Sequence, residues 1–199
     1  MVGLTGGVAS GKSTVSSYLE RLGAVVLDAD VLARQAIAPG TEGHKLTVQA
    51  FPEAVRDNNT IDRKQLGRIV FANEEKRRIL EGIIHPQVIS EIKEQGRQWE
   101  TSGYTVVADI PLLFETGCDQ FLSPIWVVYV DEQTQQKRIM ERDDIDAAQA
   151  RQRMESQMPL HEKAAKADAV IDNSGSLQQT YAQVEALWRE LHEDCPDCP

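Results

Sequence analysis

What the chain lacks narrows its roles first. No apolar run approaches the roughly eighteen residues needed to cross a bilayer, so no helical membrane span is expected. Cysteine is scarce. Cys118, Cys195 and Cys198 are too few and too unevenly placed for a disulfide framework, which fits a reducing compartment. Cys195-Pro-Asp-Cys198 does form a CxxC, but it sits in a Pro-rich acidic tail without a second ligand pair, so a frayed terminus competes with metal or redox chemistry. Basic residues are outnumbered, 21 against 31 acidic, for a formal net charge of −10. That balance disfavours a broad nucleic-acid or anionic-membrane surface, and no partner of either kind is expected. An anionic substrate then needs a locally basic cleft. No basic segment precedes an apolar one at the N-terminus, so the expected location is cytoplasmic. No internal repeat is visible, and 199 residues suit one globular domain, expected as a monomer or weak homo-oligomer.

What is present begins at once. Gly6-Gly7-Val8-Ala9-Ser10-Gly11-Lys12-Ser13-Thr14 fills the GxxxxGK[ST] template of a phosphate-binding loop without a mismatch. A short apolar run, Val2 to Leu4, precedes it. Val15, Tyr18, Leu19 and Leu22 follow at helical spacing until Gly23. In a strand–loop–helix of this kind the glycines let the backbone turn back on itself, so that N–H groups and a helix N-terminus converge on one anion. A nucleoside triphosphate is the expected occupant, with Lys12 on the β- and γ-phosphates and the Ser13 hydroxyl on Mg²⁺.

Further along, Ala24 to Leu27 reads as a second buried strand ending at Asp28-Ala29-Asp30. Ligands gather at the carboxyl ends of parallel strands, so both acids are functional candidates, while either can instead cap the next helix. Residues 32–103 carry helical signals and no convincing strand. Asp62 and Gln65 resemble a capping box, and His85-Pro86 breaks the pattern, with Pro86 in the first turn of a new helix. Tyr104 to Asp109 returns to strand and ends in an acid, as a Walker B strand does, which makes Asp109 a candidate to position the metal's water shell or the acceptor. A fourth strand spans Ile125 to Val130, with Asp131 as the cap of the following helix. From Arg142 to Lys166 the chain is charged and helical. Such a run is either a solvated face or a lid whose arginines cover the transferring phosphoryl. A last strand, Ala169 to Ile171, leads to Asp172-Asn173 and a closing helix started by Ser176 and Gln179.

Five short strands alternating with helices predict an α/β, three-layer P-loop fold with a five-stranded parallel sheet. Analogy with nucleotide kinases gives the order 2-3-1-4-5. The expected division is a single kinase domain over 1–199, with a nucleotide-binding core at 1–31, 104–140 and 168–192. A helical acceptor subdomain at 32–103, a lid at 141–167 and a flexible tail at 193–199 complete it.

The chain resembles the dephospho-coenzyme A kinase family from about Val2 to Trp188. The resemblance rests on Leu4-Thr5-Gly6-Gly7, Asp28-Ala29-Asp30, Arg63, Leu66, Val70, Phe71, Leu80 and His85-Pro86. It continues through Asp109-Ile110-Pro111-Leu112-Leu113-Phe114-Glu115, Arg138, Arg142-Asp143, Gln157 and Ala167-Asp168 to Val170-Ile171-Asp172-Asn173. It implies ATP-dependent phosphorylation of the 3′-hydroxyl of the dephospho-coenzyme A ribose, with Mg²⁺. Asp30 then matches the residue at the acceptor hydroxyl, and Lys12, Arg138 and Arg142 are the cations that meet the phosphoryl charge. ATP is assigned to Gly7, Val8, Ala9, Ser10, Gly11, Lys12, Ser13 and Thr14, with Asn173 near the adenine. The acceptor is assigned to Asp30, Arg34, His85, Leu112 and Leu113, and the metal to Ser13 and Asp109, the latter through water. His85 also has a plain reading as a capping or packing residue. Two other readings compete. Another small-molecule or nucleoside monophosphate kinase shares the donor loop, since that loop does not fix the acceptor. A GTPase-like switch is disfavoured because no Asn-Lys-x-Asp guanine-reading motif occurs.

Overall fold

A computed structural model describes residues 1–193. The CxxC at Cys195 and Cys198 and most of the expected tail lie outside the described residues. Five strands, β1 (Val2–Gly6), β2 (Val25–Asp28), β3 (Val106–Asp109), β4 (Ile125–Tyr129) and β5 (Ala169–Asp172), form one sheet in the order β2-β3-β1-β4-β5. This is the expected 2-3-1-4-5 arrangement. The pairs are parallel where β1 meets β3 and β4, and where β4 meets β5. β1 is central because its apolar residues have no polar face to give to solvent. Val2 and Leu4 are 2% and 0% exposed.

Alternation along β4 shows why both faces are covered. Trp126 and Val128 pack into one cluster with Val2, Leu4, Val15, Leu19 and Val184. Val15 and Leu19 come from α1 (Lys12–Arg21) and Val184 from α9 (Leu177–Glu193). The intervening Val127 belongs to a cluster on the other face, with Val130 and Leu160. Period-two side chains that are apolar on both faces are the signature of a parallel sheet buried between helices.

The chain divides into two compact units, one of residues 1–27 and 96–199, the other of Asp28–Gln95. The second is built from α2 (Ala29–Ala36), α3 (Glu42–Ala50), α4 (Arg63–Ala72) and most of α5 (Glu74–Thr101). Outside the sheet, residues 28–95 pair as strands only at the isolated bridge Val55–Ile61, which matches the strandless reading of this stretch. Its core is Ile37, Phe51, Ala54 and Leu66, with Ile83 and Ile84 packed against them. Thr41 and Asp62 supply N-caps: the Thr41 hydroxyl accepts from His44 N at 3.0 Å, and Asp62 Oδ1 accepts from Lys64 N and Gln65 N at 3.0 Å each.

One local expectation is corrected. Pro86 does not open a new helix but lies inside α5, which continues from Glu74 to Thr101. Proline removes one N–H and crowds the carbonyl four residues back, here that of Gly82. Apolar positions nevertheless recur on both sides of it, from Ile83 to the buried Val88 and Ile92, so packing along the whole length outweighs one missing hydrogen bond.

Phe51 is the largest buried side chain in the smaller core, at 1% exposed. Phe51→Ala is expected to destabilise the protein by about 3–5 kcal/mol. Urea unfolding followed by circular dichroism measures the loss.

Candidate functional site

The phosphate loop is built by its backbone. Ala9 (φ 57°) and Gly11 (φ 88°) both take left-handed conformations, and Gly11 is the N-cap of α1. A side chain at Gly11 is doubly forbidden: its Cβ would also lie 2.0 Å from Asn173 Nδ2. Around this turn, donors and acceptors arrive from distant elements. Asn173 Nδ2 donates to Ser10 O at 2.8 Å, and Gln135 Nε2 donates to Val8 O at 2.9 Å. Val8 N donates to Gln157 Oε1 at 3.0 Å. Gln135 sits so close that a Cβ on Gly7 would meet its Nε2 at 2.5 Å, which explains the second glycine of the loop.

Lys12, from the first turn of α1, is joined by hydrogen bond and ion pair to Asp109 Oδ1 at the end of β3. The lysine side chain is 17% exposed and the carboxylate 5%. Two residues assigned separately from sequence, one to phosphate and one to metal, therefore meet in one contact. Ser13 is exposed beside them and offers a hydroxyl. Thr14 is half-buried within α1. Ser10 is fully buried, its hydroxyl has no hydrogen-bond partner, and its N–H donates to Gly7 O at 3.1 Å.

Asn173 has a structural role in the loop. Its side chain is buried, with Nδ2 on Ser10 O and Oδ1 accepting from the Thr180 hydroxyl at 2.8 Å. The amide thereby ties the loop at Ser10 to α9 at Thr180. Arg138, on α6 (Glu132–Asp143), donates to Asn173 O at 2.9 Å. Arg142 is held bidentately by its neighbour, Nε to Asp143 Oδ1 at 2.8 Å and NH2 to Oδ2 at 2.9 Å, and Arg153 pairs with the same carboxylate. The Arg142 hydrogen bonds keep the Asp143 carboxyl below its usual range.

The 110–117 stretch holds a fully buried Leu113 and a half-buried Leu112. Leu113 is thus a core residue, which corrects its assignment as an acceptor contact. Lys163, on the short helix α8 (Leu160–Ala165), is likewise not a solvated or phosphate-facing lid cation. It is fully buried, donates to Pro111 O at 2.7 Å and pairs with Glu115 Oε1 at 2.9 Å. Burial pushes its ammonium below the usual lysine value, an effect that Glu115 opposes and Lys12 reinforces. Leu160 and Ala164 share its helix and pack on the sheet, which was the available sign that this face is internal. Gln135 was missed entirely, because a polar residue on a helix carries no spacing signal for a loop far back in the chain.

In the unit of residues 28–95, Asp28 accepts from Asp30 N at 2.7 Å and Val31 N at 3.0 Å. The cap of α2 is therefore Asp28, and Asp30 is not needed for that job. Asp30 is exposed, and its carboxylate has no hydrogen-bond partner among the described residues. Arg34 Nε donates to Asp30 O at 2.9 Å, and its own carbonyl accepts from Arg63 at 3.3 Å. His85 is half-buried within α5. Within the other unit a cavity of about 580 Å³ opens beside the loop, lined among others by Gly7, Gln135, Arg151, Gln157 and His161. Among the described residues no three His, Cys, Asp or Glu side chains cluster as a metal cage, and no helix is long and apolar enough to cross a membrane.

A family model described as dephospho-CoA kinase matches residues 1–179. The dephospho-CoA kinase of Geobacter metallireducens is 50% identical over 200 residues, covering 98% of each chain. That of Shouchella clausii is 49% identical over 195 residues, covering 96% of this chain and 99% of its own. The solved dephospho-CoA kinase from Campylobacter jejuni superposes with a TM-score of 0.75 at 30% identity, over 97% of both chains. With the loop, the strand order and the family match in agreement over nearly its whole length, the chain belongs to the dephospho-CoA kinase family.

Proposed function

We propose that the protein transfers the γ-phosphoryl group of ATP to the 3′-hydroxyl of dephospho-coenzyme A, releasing ADP and coenzyme A. The observation that carries the donor half is the left-handed loop of Ala9 and Gly11 with Lys12 seated on Asp109. In the transfer, the acceptor oxygen forms a bond to the γ-phosphorus as the bond to the β–γ bridging oxygen breaks. Lys12 leaves Asp109 for the phosphate oxygens, and Arg138 and Arg142 add positive charge as the equatorial oxygens take up the electron density. Arg142 reaches them by giving up Asp143, whose second partner, Arg153, stays with the carboxylate.

Asp30 is the acceptor-side carboxylate in this reading. Because Asp28 carries the capping load, Asp30 is available to orient the hydroxyl and take its proton. Arg34, Leu112 and His85 remain the proposed acceptor neighbours. The donor set fits Mg²⁺: a hydroxyl at Ser13 and a carboxylate at Asp109 are hard oxygen donors that suit an ion which keeps several waters and binds mainly through substrate phosphates. When bound, Mg²⁺ neutralises charge on the β- and γ-phosphates. Asn173 holds the loop at Ser10 O. Of residues 141–167, read from sequence as a lid, 141–156 are the part proposed to move, because Gln157, Met158 and Lys163 are tied to Val8, Glu115 and Pro111, and the site is expected to act in the cytoplasm.

A coupled assay with ATP, Mg²⁺ and dephospho-coenzyme A is expected to produce ADP and coenzyme A in equal amounts. Folded protein that yields neither removes the assignment, and faster turnover of a nucleoside monophosphate would move it to another kinase class. Asp30→Asn is expected to lower kcat by about 10²–10⁴-fold while ATP binding, read by calorimetry, stays within about twofold. Full turnover in that variant excludes Asp30 from the chemistry. Lys12→Met is expected to weaken ATP binding and reduce kcat by at least about 10²-fold, since it removes a charge that is stronger against the transition state than against bound nucleotide.

A further inference from the structure

Gln157 and Lys163 have no part in the chemistry above, yet neither is held as an ordinary surface residue is. Gln157 Oε1 accepts from Val8 N at 3.0 Å. Further along the same segment, the fully buried Lys163 donates to Pro111 O at 2.7 Å and lies 2.9 Å from Glu115 Oε1. That carboxylate oxygen also accepts from Met158 N at 2.9 Å. Pro111 O takes a second hydrogen bond, at 3.1 Å, from the Thr5 hydroxyl in β1. One short piece of chain, 157–163, therefore grips the phosphate loop at one end and the 111–115 loop at the other.

The chemistry of the two grips argues for a positioning role. A lysine and a glutamate brought into the interior give up hydration that their mutual attraction only partly returns, and an apolar side chain would secure α8 at lower cost. What the pair supplies instead is direction. Both outer contacts, Val8 N and Pro111 O, are main-chain atoms, so they fix the path of the two loops and not the swing of a side chain. Val8 is also pinned at its carbonyl by Gln135, so the loop is held on both sides of that residue. Small displacements matter here, because a shift of about 1 Å between reacting groups costs on the order of 10²-fold in rate.

Resting on the phosphoryl-transfer reading above, we propose that residues 157–163 form a strap that keeps the phosphate loop in register with the 111–115 loop, with Gln157 and Lys163 as its positioning residues. Neither residue touches the reacting atoms. The strap acts through the backbone that carries Lys12 on one side and through the stretch that follows Asp109 on the other.

The test uses Gln157→Met and the double substitution Lys163→Met with Glu115→Gln, which removes both charges together and keeps an acceptor for Met158 N. Hydrogen exchange of the Val8 amide by NMR, melting temperature, kcat and KM are measured for each. Faster Val8 exchange is expected in both, including the variant cut at the far end, with kcat lowered about tenfold and KM changed less than about twofold. All three substitutions together are expected to lower kcat no further than the worse of the two, because one strap is broken either way. Wild-type Val8 exchange in the Lys163 variant, or losses in kcat that multiply, overturns the strap. Should the doubly substituted protein not fold, Gln157→Met decides alone: unchanged kcat with a faster Val8 amide refutes the proposal. Exchange needs no turnover, so a wild-type protein that makes no coenzyme A refutes the assigned reaction while the strap is still judged by the amide.

Discussion

A loop that turns its amide hydrogens towards an anion leaves its own carbonyls pointing the other way, and buried carbonyls must find donors. Much of the nucleotide unit can be understood as the supply of those donors. Asn173, just past β5, serves Ser10 O, and Gln135, on α6, serves Val8 O. Each donor is itself fixed. Thr180 on α9 orients the Asn173 amide, Arg138 binds the Asn173 carbonyl, and the Asn173 N–H donates to Tyr129 O at the end of β4 at 2.8 Å. The parallel sheet makes this possible, since β4 and β5 run alongside β1 and deliver their C-terminal residues to the edge where the loop begins.

Charge is handled in the same economical way. The chain is acidic overall, so carboxylates are at hand wherever a cation stands beside the cleft. Three of those around the loop are parked on carboxylates of nearby chain: Lys12 on Asp109, Arg142 on Asp143 and Lys163 on Glu115. Two of these are exchangeable contacts near the surface of the site, and the third is locked inside. Position alone separates them. Lys12 and Arg142 are partly exposed and able to change partners, whereas the Lys163 side chain has no exposure at all.

Much of this was legible before the coordinates. A glycine-rich template, apolar runs of strand length and acids at their ends carry local physical signals, and β1 to β5 and the caps at Asp62, Asp131 and Ser176 follow them, while the strand order rests on analogy with nucleotide kinases. The misreadings share a cause. Pro86 carries a strong local signal for a helix start, but burial of residues on either side overrode it. Leu113 belongs to a motif that suggests ligand contact and Lys163 to a charged run that suggests solvent or a lid, and only tertiary packing decides that both turn inward. Whether Asp28 caps α2 depends on two backbone N–H groups that a sequence does not orient. Gln135 shows the remaining limit, for nothing near it in the chain announces a partner at Val8.

The Lys12–Asp109 contact means that the resting loop carries its own counter-ion. Any incoming anion must therefore take part in an exchange. A bare phosphate or sulfate draws the lysine away from a carboxylate that is almost wholly enclosed and brings no cation in return. In the proposed reaction a metal-chelated nucleotide would bring both an anion for Lys12 and a cation for the neighbourhood of Asp109, so that the swap is balanced. On the proposed reading, a single ion pair sets the terms on which donor nucleotide and simple anion compete, before any base or sugar is recognised.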